Sequence, residues 1–422
     1  MVGEANGPCD LNAFEPSDEI VTEICSADGD NCGRARSRHN SYSIIFRIMT
    51  RTFIHSFDPA NASPVAGSTV SLEVSEIEDA GIREVLQTPG AAYGAWSILD
   101  TLLTATGQGT PFIFKEPLGQ AREVKVALSG LFGRFVARAY LEHYFNLSIF
   151  AHLSSRSLLL DGRRQVEIVR RARGDLPDWL ACAADLSSLT VAEAKGCHDS
   201  GGPAKALARA WTQAQRIDVT AKGKKVTIKR IAVATRWGAA TTGPADAHLS
   251  VQDPVDEGEP IERDDKAALF VGLLRYHIAN LIAPLGHQEL ATSLRQLARD
   301  RLQSTVQRDL ISARAILNST PLRDVAGSSA IDGLVGGIVT RAGPLADSTV
   351  AAADQDTLAR LNLRPVLVGV ERDLISLAID GEAHAVRKRL ADVVGSDDSA
   401  RSDRAGGWIM PLGSGQGRVR DV

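Results

Sequence analysis

The sequence predicts a mixed α/β fold (α+β) with a core in the order helix, strand, strand, strand, helix, strand. Of the 422 residues, 44% are hydrophobic and 23% are charged, which is typical of a globular chain long enough for two or three domains. Short runs rich in β-branched residues alternate with longer stretches in which apolar residues recur at helical spacing. Together these patterns predict both strands and helices along the chain.

Two regions precede the predicted core. Residues 1–40 are rich in glycine, acidic residues and serine and lack periodicity, so we expect a loose N-terminal segment. Residues 41–115 are expected to form a small mixed α/β domain. Its strands are predicted over 43–57, 68–74 and 111–115, and its helix over 95–104.

The predicted core occupies residues 116–260. Apolar residues recur at spacings of four or five over 122–153, which favours a helix, and a proline in the first turn begins a second helix. The helices are predicted over 122–153 and 203–217, and the strands over 165–171, 178–183, 189–194 and 225–237.

The rest of the chain is predicted to be a mainly helical region, 265–395, and a flexible tail, 396–422. The most apolar stretch, 267–283, contains Arg275 and His277 and is shorter than the ~20 residues that a membrane span needs, so we expect a buried helix and no membrane contact. The helices are predicted over 267–283, 288–318 and from 372 into the 390s, with a strand over 365–370.

Positive charge is concentrated in the core. Between Asp161 and Arg236 there are 15 lysines and arginines against 8 aspartates and glutamates, whereas the whole chain carries a formal charge of −4. This asymmetry favours a basic module that meets phosphates, although a solvated basic face gives the same count. The five cysteines form no CxxC pair, which favours a reducing, cytoplasmic location.

Asp178 and Glu193 are predicted to face each other across a β-hairpin. With the turn at 184–187, paired residues have numbers that add up to 371, and 178 and 193 satisfy this condition. Opposed side chains on one face lie ~4.5–5.5 Å apart at Cβ. Lys195 is two residues beyond Glu193 and therefore points to the same face. Asp175 is a weaker alternative to Asp178 because it pairs out of register.

These residue types fit phosphodiester hydrolysis. Two close carboxylates repel each other unless a cation lies between them, and Mg²⁺ binds one or two carboxylates together with waters and phosphate oxygens. A neighbouring lysine can orient the attacking water or stabilise the charge of the transition state. The plain alternative is a turn residue at Asp178 and a Glu193–Lys195 ion pair on a solvated face.

The Pro-Asp, followed by Glu-x-Lys on the next strand, resembles the PD-(D/E)xK, restriction-endonuclease-like, nuclease superfamily. The likeness covers about residues 122–240, and the predicted order of core elements is also similar to that superfamily. The resemblance implies that Asp178 and Glu193 are metal ligands for Mg²⁺ or Mn²⁺ and that Lys195 orients water. It also implies a further acidic ligand from the first core helix, Glu142 or, as the weaker choice, Glu123.

Several other residues are candidates for nucleic-acid contacts. The resemblance implies a glutamine on the helix after the lysine, Gln213 or Gln215. Arg134 on the first core helix is placed to reach phosphates, although such arginines are more often solvent-exposed. Three lysines are expected at the tip of a β-hairpin, where they could contact a nucleic-acid backbone; the alternative is a solvent-exposed turn without such a role. They are Lys222, Lys224 and Lys225.

The function expected from this resemblance is metal-dependent hydrolysis of DNA, in genome defence, repair or mobile-element biology. The alternative is a non-catalytic scaffold or nucleic-acid-binding module that docks a partner protein through the helical region 265–395. The sequence is compatible with an oligomer but contains no signal that defines one.

Overall fold

The structure is a computed structural model that describes part of the chain. The described residues are 50–57, 69–88, 103–105, 112–114, 122–153, 159–162, 165–185, 189–198, 203–239, 248–253, 263–299, 302–326, 333–340, 343–344, 365–394, 401–402, 407–411 and 418–421. The predicted N-terminal segment 1–40 lies outside them. Residues 46–422 group into one compact unit, and the predicted domain boundaries inside it stay predictions.

The described part of the chain is a mixed α/β protein with eight α-helices and several sheets. The helices are α1 (Val74–Gln87), α2 (Arg122–Tyr144), α3 (Pro203–Ala214), α4 (Arg263–Ile282), α5 (Gln288–Arg299), α6 (Gln303–Ser319), α7 (Arg372–Asp380) and α8 (Ala383–Val394). The strands up to α4 are β1 (Thr50–Phe57), β2 (Thr69–Glu73), β3 (Leu103–Ala105), β4 (Phe112–Phe114), β5 (Ile149–His152), β6 (Leu159–Asp161), β7 (Val166–Arg170), β8 (Trp179–Cys182), β9 (Leu189–Cys197), β10 (Ile217–Ala221), β11 (Lys224–Lys225), β12 (Lys229–Arg236), β13 (Gly238–Ala239) and β14 (His248–Gln252). The later strands are β15 (Arg323–Ala326), β16 (Leu334–Thr340), β17 (Gly343–Pro344), β18 (Val366–Glu371), β19 (Arg401–Ser402), β20 (Gly407–Pro411) and β21 (Arg418–Asp421).

A seven-stranded sheet in the order β2-β1-β14-β12-β9-β8-β5 carries the core. The pairs β9/β12 and β1/β14 are parallel, and the other neighbours are antiparallel. Helices α2 and α3 both pack on β9 and β12. The core contains fully buried aromatic side chains, namely Phe132, Phe135, Tyr140, Phe150, Trp179 and Trp237.

The first strand of the core differs from the prediction. Helix α2 ends at Tyr144 rather than near residue 153, because Asn146 has a left-handed φ of 54° and the next residues pair as β5 with β8. The predicted strand 165–171 exists as β7, but it belongs to a separate four-stranded sheet, β11-β10-β7-β6. Within the large sheet the order is therefore α2, β5, β8, β9, α3, β12.

The lysine-rich tip was predicted correctly. Strands β10 and β11 form a hairpin in which Ala221 pairs with Lys224, so Lys222 and Gly223 make the turn. The preceding helix is shorter than expected, because α3 ends at Ala214 and residue 217 already belongs to β10. The predicted strand 225–237 corresponds to β12, which begins only at Lys229.

The region before the core also contributes to the large sheet. The two predicted strands are present as β1 and β2, and they extend the sheet beyond β14. Helix α1 follows β2 directly and packs on α2, although the sequence analysis placed no helix there. Most of the predicted helix 95–104 lies outside the described residues, and its last two positions belong to β3, which pairs with β4 near the predicted strand 111–115.

The C-terminal region is less helical than predicted. It contains α4–α8, but seven strands form a sheet in the order β19-β20-β18-β16-β15-β21, with β17 paired to β16. The predicted strand 365–370 is β18, and the predicted helix 288–318 is split into α5 and α6. The predicted tail contributes β20, whose apolar Trp408 and Ile409 are buried against this sheet.

Helix α4 is the one described helix with the length and apolarity of a membrane span, and 72% of its apolar window is buried inside the fold. Phe270, Leu274 and Ile278 are fully buried, and α4 packs on β5 and α5. Arg275 donates hydrogen bonds to the carbonyls of Ala378 and Ile379 at 2.8 and 2.9 Å, near the end of α7. The predicted buried helix is confirmed, as in the interior of a soluble protein.

Candidate active site

The hairpin of β8 and β9 has the predicted register. Trp179 pairs with Ala192 and Leu180 with Val191, so paired residue numbers add up to 371. Asp178 immediately precedes β8 and therefore lies at the position opposite Glu193. The apolar residues of β8 are all buried, which fixes the register, because a slip by one residue would expose them.

Each of the two carboxylates accepts a hydrogen bond from a backbone amide on the opposite strand of the hairpin. The amide of Asp178 donates to Oε2 of Glu193 at 2.9 Å. The amide of Ala194 in turn donates to Oδ2 of Asp178 at 2.9 Å. Lys195 forms an ion pair with Oε1 of Glu193. The structure thus brings together the three residues that the sequence predicted as a cluster, and we call Asp178, Glu193 and Lys195 the hairpin cluster.

The hairpin cluster is open to solvent at one end only. The side chain of Glu193 is 0% exposed, that of Asp178 14% and that of Lys195 34%. The alternative of a surface ion pair is therefore wrong for Glu193. Burial, followed by the neighbouring Asp178 carboxylate, raises the pKa of Glu193, and Lys195 opposes this shift only in part. An additional positive charge at this place would favour the ionised carboxylate.

Two glycines allow α2 to approach the hairpin cluster closely. A Cβ atom on Gly196 would lie 1.7 Å from the carbonyl oxygen of Ser129, and one on Gly133 would lie 2.6 Å from the Cα of Gly196. Only glycine fits at this helix–strand contact. The contact places Arg134, the residue after Gly133, beside the hairpin.

Arg134 connects the hairpin cluster with buried groups behind it. Its Nε lies 3.5 Å from Oδ1 of Asp178, and it forms an ion pair with Glu84. It also lies 2.7 Å from Nε2 of His152. Burial lowers the pKa of His152, and a neutral ring can accept this hydrogen bond. The contacts with Glu84 and His152 therefore orient the guanidinium of Arg134 toward Asp178.

Glu142, the predicted third acidic ligand, is not brought to the hairpin cluster. Its carboxylate forms ion pairs with Arg83 and with Arg138, the latter at 3.0 Å. Glu142 lies two turns beyond Arg134 along α2, and these two guanidiniums already neutralise it. The side chain of Glu123 lies outside the described residues.

Glu84 on α1 is the acidic residue that the sequence analysis missed. It is 2% exposed and accepts hydrogen bonds from Trp179 at 2.8 Å and from Arg138 at 3.3 Å, in addition to Arg134. Helical spacing could have revealed this residue, because Glu84 lies seven residues after the buried Ile77 and therefore on the same apolar face of α1. A carboxylate on such a face is almost always paired.

The residues predicted to contact nucleic acid differ in their exposure and in their partners. Gln213 is buried and donates to the carbonyl of Leu176 at 2.5 Å, so it holds the segment that leads to Asp178. Lys222 pairs with Asp265 at 3.0 Å, and Lys225 lies 3.4 Å from Asp218. Lys224 and Gln215 are exposed.

The donor atoms of the hairpin cluster can be compared with those that a divalent cation prefers. Among the described residues, no group of three or more His, Cys, Asp or Glu side chains converges as a metal site. The hairpin cluster offers two carboxylates, and Mg²⁺ commonly uses one or two, together with water and substrate oxygens. Among the described residues, each of the four carboxylate oxygens has one contact, and a carboxylate oxygen can accept a second. The donor set therefore fits a hard cation.

No protein-family model, no curated protein and no solved structure matches this chain.

Proposed function

We propose that this protein is a divalent-metal-dependent nuclease that hydrolyses phosphodiester bonds of DNA. The observation that carries the proposal is the hairpin cluster, in which the buried carboxylate of Glu193, the partly exposed carboxylate of Asp178 and the ammonium of Lys195 meet on one β-hairpin. Burial and the neighbouring Asp178 carboxylate raise the pKa of Glu193, so its ionised form costs stability that a bound cation would offset.

Asp178 and Glu193 are the residues that would hold Mg²⁺ or Mn²⁺, which supplies neutralisation of the charge on the reacting phosphate. Lys195 is the most exposed member of the cluster, so its ammonium is placed to donate a hydrogen bond to the attacking water or to a phosphate oxygen. Arg134 presents a second cation beside Asp178. Its contact with Glu84 restricts the guanidinium and so reduces the entropy lost when a phosphate binds.

The fold supports this proposal. The order α2, β5, β8, β9, α3, β12 in the large sheet is the order of elements that the resemblance to the PD-(D/E)xK superfamily implies. The candidate residues lie at the start of β8 and on β9, at the centre of this arrangement. The likeness concerns architecture and motif together, which is more specific than the short motif alone.

A non-catalytic scaffold or nucleic-acid-binding module is the second candidate. The observation that favours it is that Lys195 and Arg134 already contact the two carboxylates. In that case the hairpin cluster would be a structural ion-pair network, and the C-terminal region would dock a partner protein.

A cleavage assay separates the two candidates. Wild type, Asp178→Asn, Lys195→Ala and the control Lys388→Ala, an exposed lysine on α8, are incubated with linear duplex, circular and single-stranded DNA and with RNA. Mg²⁺, Mn²⁺ or EDTA is added in parallel. We expect metal-dependent cleavage of DNA by wild type and the control, and a loss of at least about 10²-fold in both site variants. Equal cleavage by all four proteins would contradict the assignment, and DNA binding without cleavage would favour the scaffold.

A further inference from the structure

A loop with three arginines follows β7 and leads toward Asp178. Its residues Arg170, Arg171, Ala172, Arg173 and Gly174, which we call the arginine loop, line an open cavity of about 420 Å³. All five residues are exposed. The three arginines belong to the positively charged stretch between Asp161 and Arg236 and lie outside the hairpin cluster.

The arginine loop is held in one conformation by its own side chains and by the end of α3. Arg170 donates to the carbonyl of Ala172 at 3.0 Å and also to that of Gly174. The amide of Arg171 donates to the carbonyl of Arg216 at 2.7 Å, and Nη1 of Arg216 donates to the carbonyl of Asp175 at 2.9 Å.

Gly174 makes this arrangement possible. Its φ of 115° is unfavourable for other residues, and a Cβ atom there would lie 2.6 Å from Nη1 of Arg216. The guanidinium of Arg216 is therefore packed against the loop backbone. A loop that is ordered in advance loses less entropy when it binds a ligand.

Positive charge exceeds negative charge around the arginine loop. The carboxylate of Asp218 lies 2.9 Å from Arg171, 2.9 Å from Arg230 and 3.4 Å from Lys225. One carboxylate neutralises one of these three cations. Asp175, which follows the loop, adds one negative charge against those of Arg170, Arg173 and Arg216. The surplus attracts an anion.

The arginine loop is connected to the hairpin cluster through a short tether. Arg173 and Asp178 are five positions apart, which limits the distance between their Cα atoms to about 17 Å. Gln213 fixes the middle of this tether through the carbonyl of Leu176 at 2.5 Å. A polymer with regularly spaced phosphates can therefore reach both places at once.

We propose that the arginine loop binds backbone phosphates of the nucleic acid on one side of the cleaved bond, without reading the bases. This inference deepens the proposed function and rests on it. Guanidinium groups bind phosphates through paired hydrogen bonds. The residues that line the cavity are arginine, alanine and glycine, so they offer no aromatic ring on which a base could stack.

The test measures binding of two 20-base-pair duplexes of unrelated sequence by fluorescence anisotropy, in EDTA and at several salt concentrations. The variant is Arg173→Gln, and the matched control is Arg308→Gln, which removes an exposed arginine from α6. For Arg173→Gln we expect about 3–10-fold weaker binding to both duplexes and a salt slope that is smaller by about one. The control should bind like wild type.

Unchanged affinity and salt slope in Arg173→Gln would overturn the inference, as would an equal loss in the control or a loss confined to one duplex. Binding in EDTA does not depend on catalysis. If wild type fails to cleave DNA but Arg173→Gln shows the expected loss of binding, the nuclease proposal fails and the phosphate-binding role of the arginine loop stands. If cleavage occurs and binding is unaffected, only the present inference fails.

Discussion

Two carboxylate clusters lie on the two sides of Arg134, and they differ in how completely they are neutralised. Behind Arg134, a buried network joins two carboxylates to three guanidiniums; its members are Arg83, Glu84, Arg134, Arg138 and Glu142. In front of it, the hairpin cluster holds two carboxylates and one lysine, with Arg134 at 3.5 Å from Asp178. We call the first group the arginine network.

The pKa values of the two buried glutamates shift in opposite directions. Burial alone would raise the pKa of Glu84, but Arg134 and Arg138 outweigh it and hold that pKa below its ordinary value. Burial and Asp178 raise the pKa of Glu193. The comparison teaches that burial does not by itself make a carboxylate functional. The arginine network is electrostatically satisfied, whereas the hairpin cluster retains a deficit of positive charge that a cation can fill.

The largest expected effect is the loss of stability in Glu84→Gln. This substitution leaves the fully buried Arg138 with one carboxylate partner fewer and removes the main partner of Arg134. We expect the free energy of unfolding to fall by about 3–5 kcal/mol, measured by urea denaturation at pH 7. Asp309→Asn, in an exposed ion pair on α6, serves as control and should change it by less than about 1 kcal/mol. If Glu84→Gln were as stable as wild type, the arginine network would not stabilise the fold, and its contrast with the hairpin cluster would be contradicted.

Glu193→Gln is expected to change the free energy of unfolding by a smaller amount and in the opposite direction, so that the variant is more stable than metal-free wild type. Its partner Lys195 can reach solvent, so the substitution removes a buried carboxylate without leaving a buried cation. Because the pKa of Glu193 is higher in the folded chain than its ordinary value of 4.5, its contribution to stability is present below about pH 4.5 and is lost as the pH rises through the folded pKa.

We therefore expect Glu193→Gln to be more stable than the metal-free wild type by about 1–2 kcal/mol at pH 8, with the difference vanishing near pH 4. Thermal unfolding in EDTA across this pH range measures both quantities. The variant should also lose the stabilisation that Mg²⁺ gives to wild type. Destabilisation at pH 8 would show that Glu193 is a structural partner of Lys195.

The smallest effect concerns protons that are released when Mg²⁺ binds. Since burial and Asp178 raise the pKa of Glu193, a cation that binds there displaces the protons that this carboxyl carries. Calorimetric titration at pH 7 in two buffers of different ionisation enthalpy should give different heats, corresponding to a release of up to about one proton per cation. Affinity should rise with pH up to the folded pKa of Glu193. Equal heats in both buffers would argue against binding at Glu193.

The sequence predicted the hairpin cluster well because its determinants are local. The constant sum of paired positions requires only a short turn and two apolar runs, and β8 and β9 have that register. Hairpin tips such as Lys222–Lys225 are predictable for the same reason. Gly196, the residue after Lys195, has a packing role that the hairpin pattern does not show, because it contacts α2.

The remainder of the site depends on long-range packing. Glu84 and Asp178 are 94 positions apart, and they share Arg134 only because α1 packs on α2 and α2 packs on β9. No local period shows that Glu142 faces Arg83, a residue 59 positions away. Residues 149–152 were predicted as the end of a helix but form β5, and the local pattern of β7 does not show which sheet it joins. Local patterns predict elements and registers, but partners across elements follow from tertiary structure.

The most direct test of the central claim is the position of a bound cation. Crystals of the full chain are grown with Mn²⁺, and anomalous diffraction is recorded at the manganese absorption edge. We predict one strong peak within coordination distance of both Asp178 and Glu193, with Lys195 displaced from Oε1 of Glu193. A manganese peak at another place, with the Lys195–Glu193 and Arg134–Asp178 contacts intact, would contradict the account.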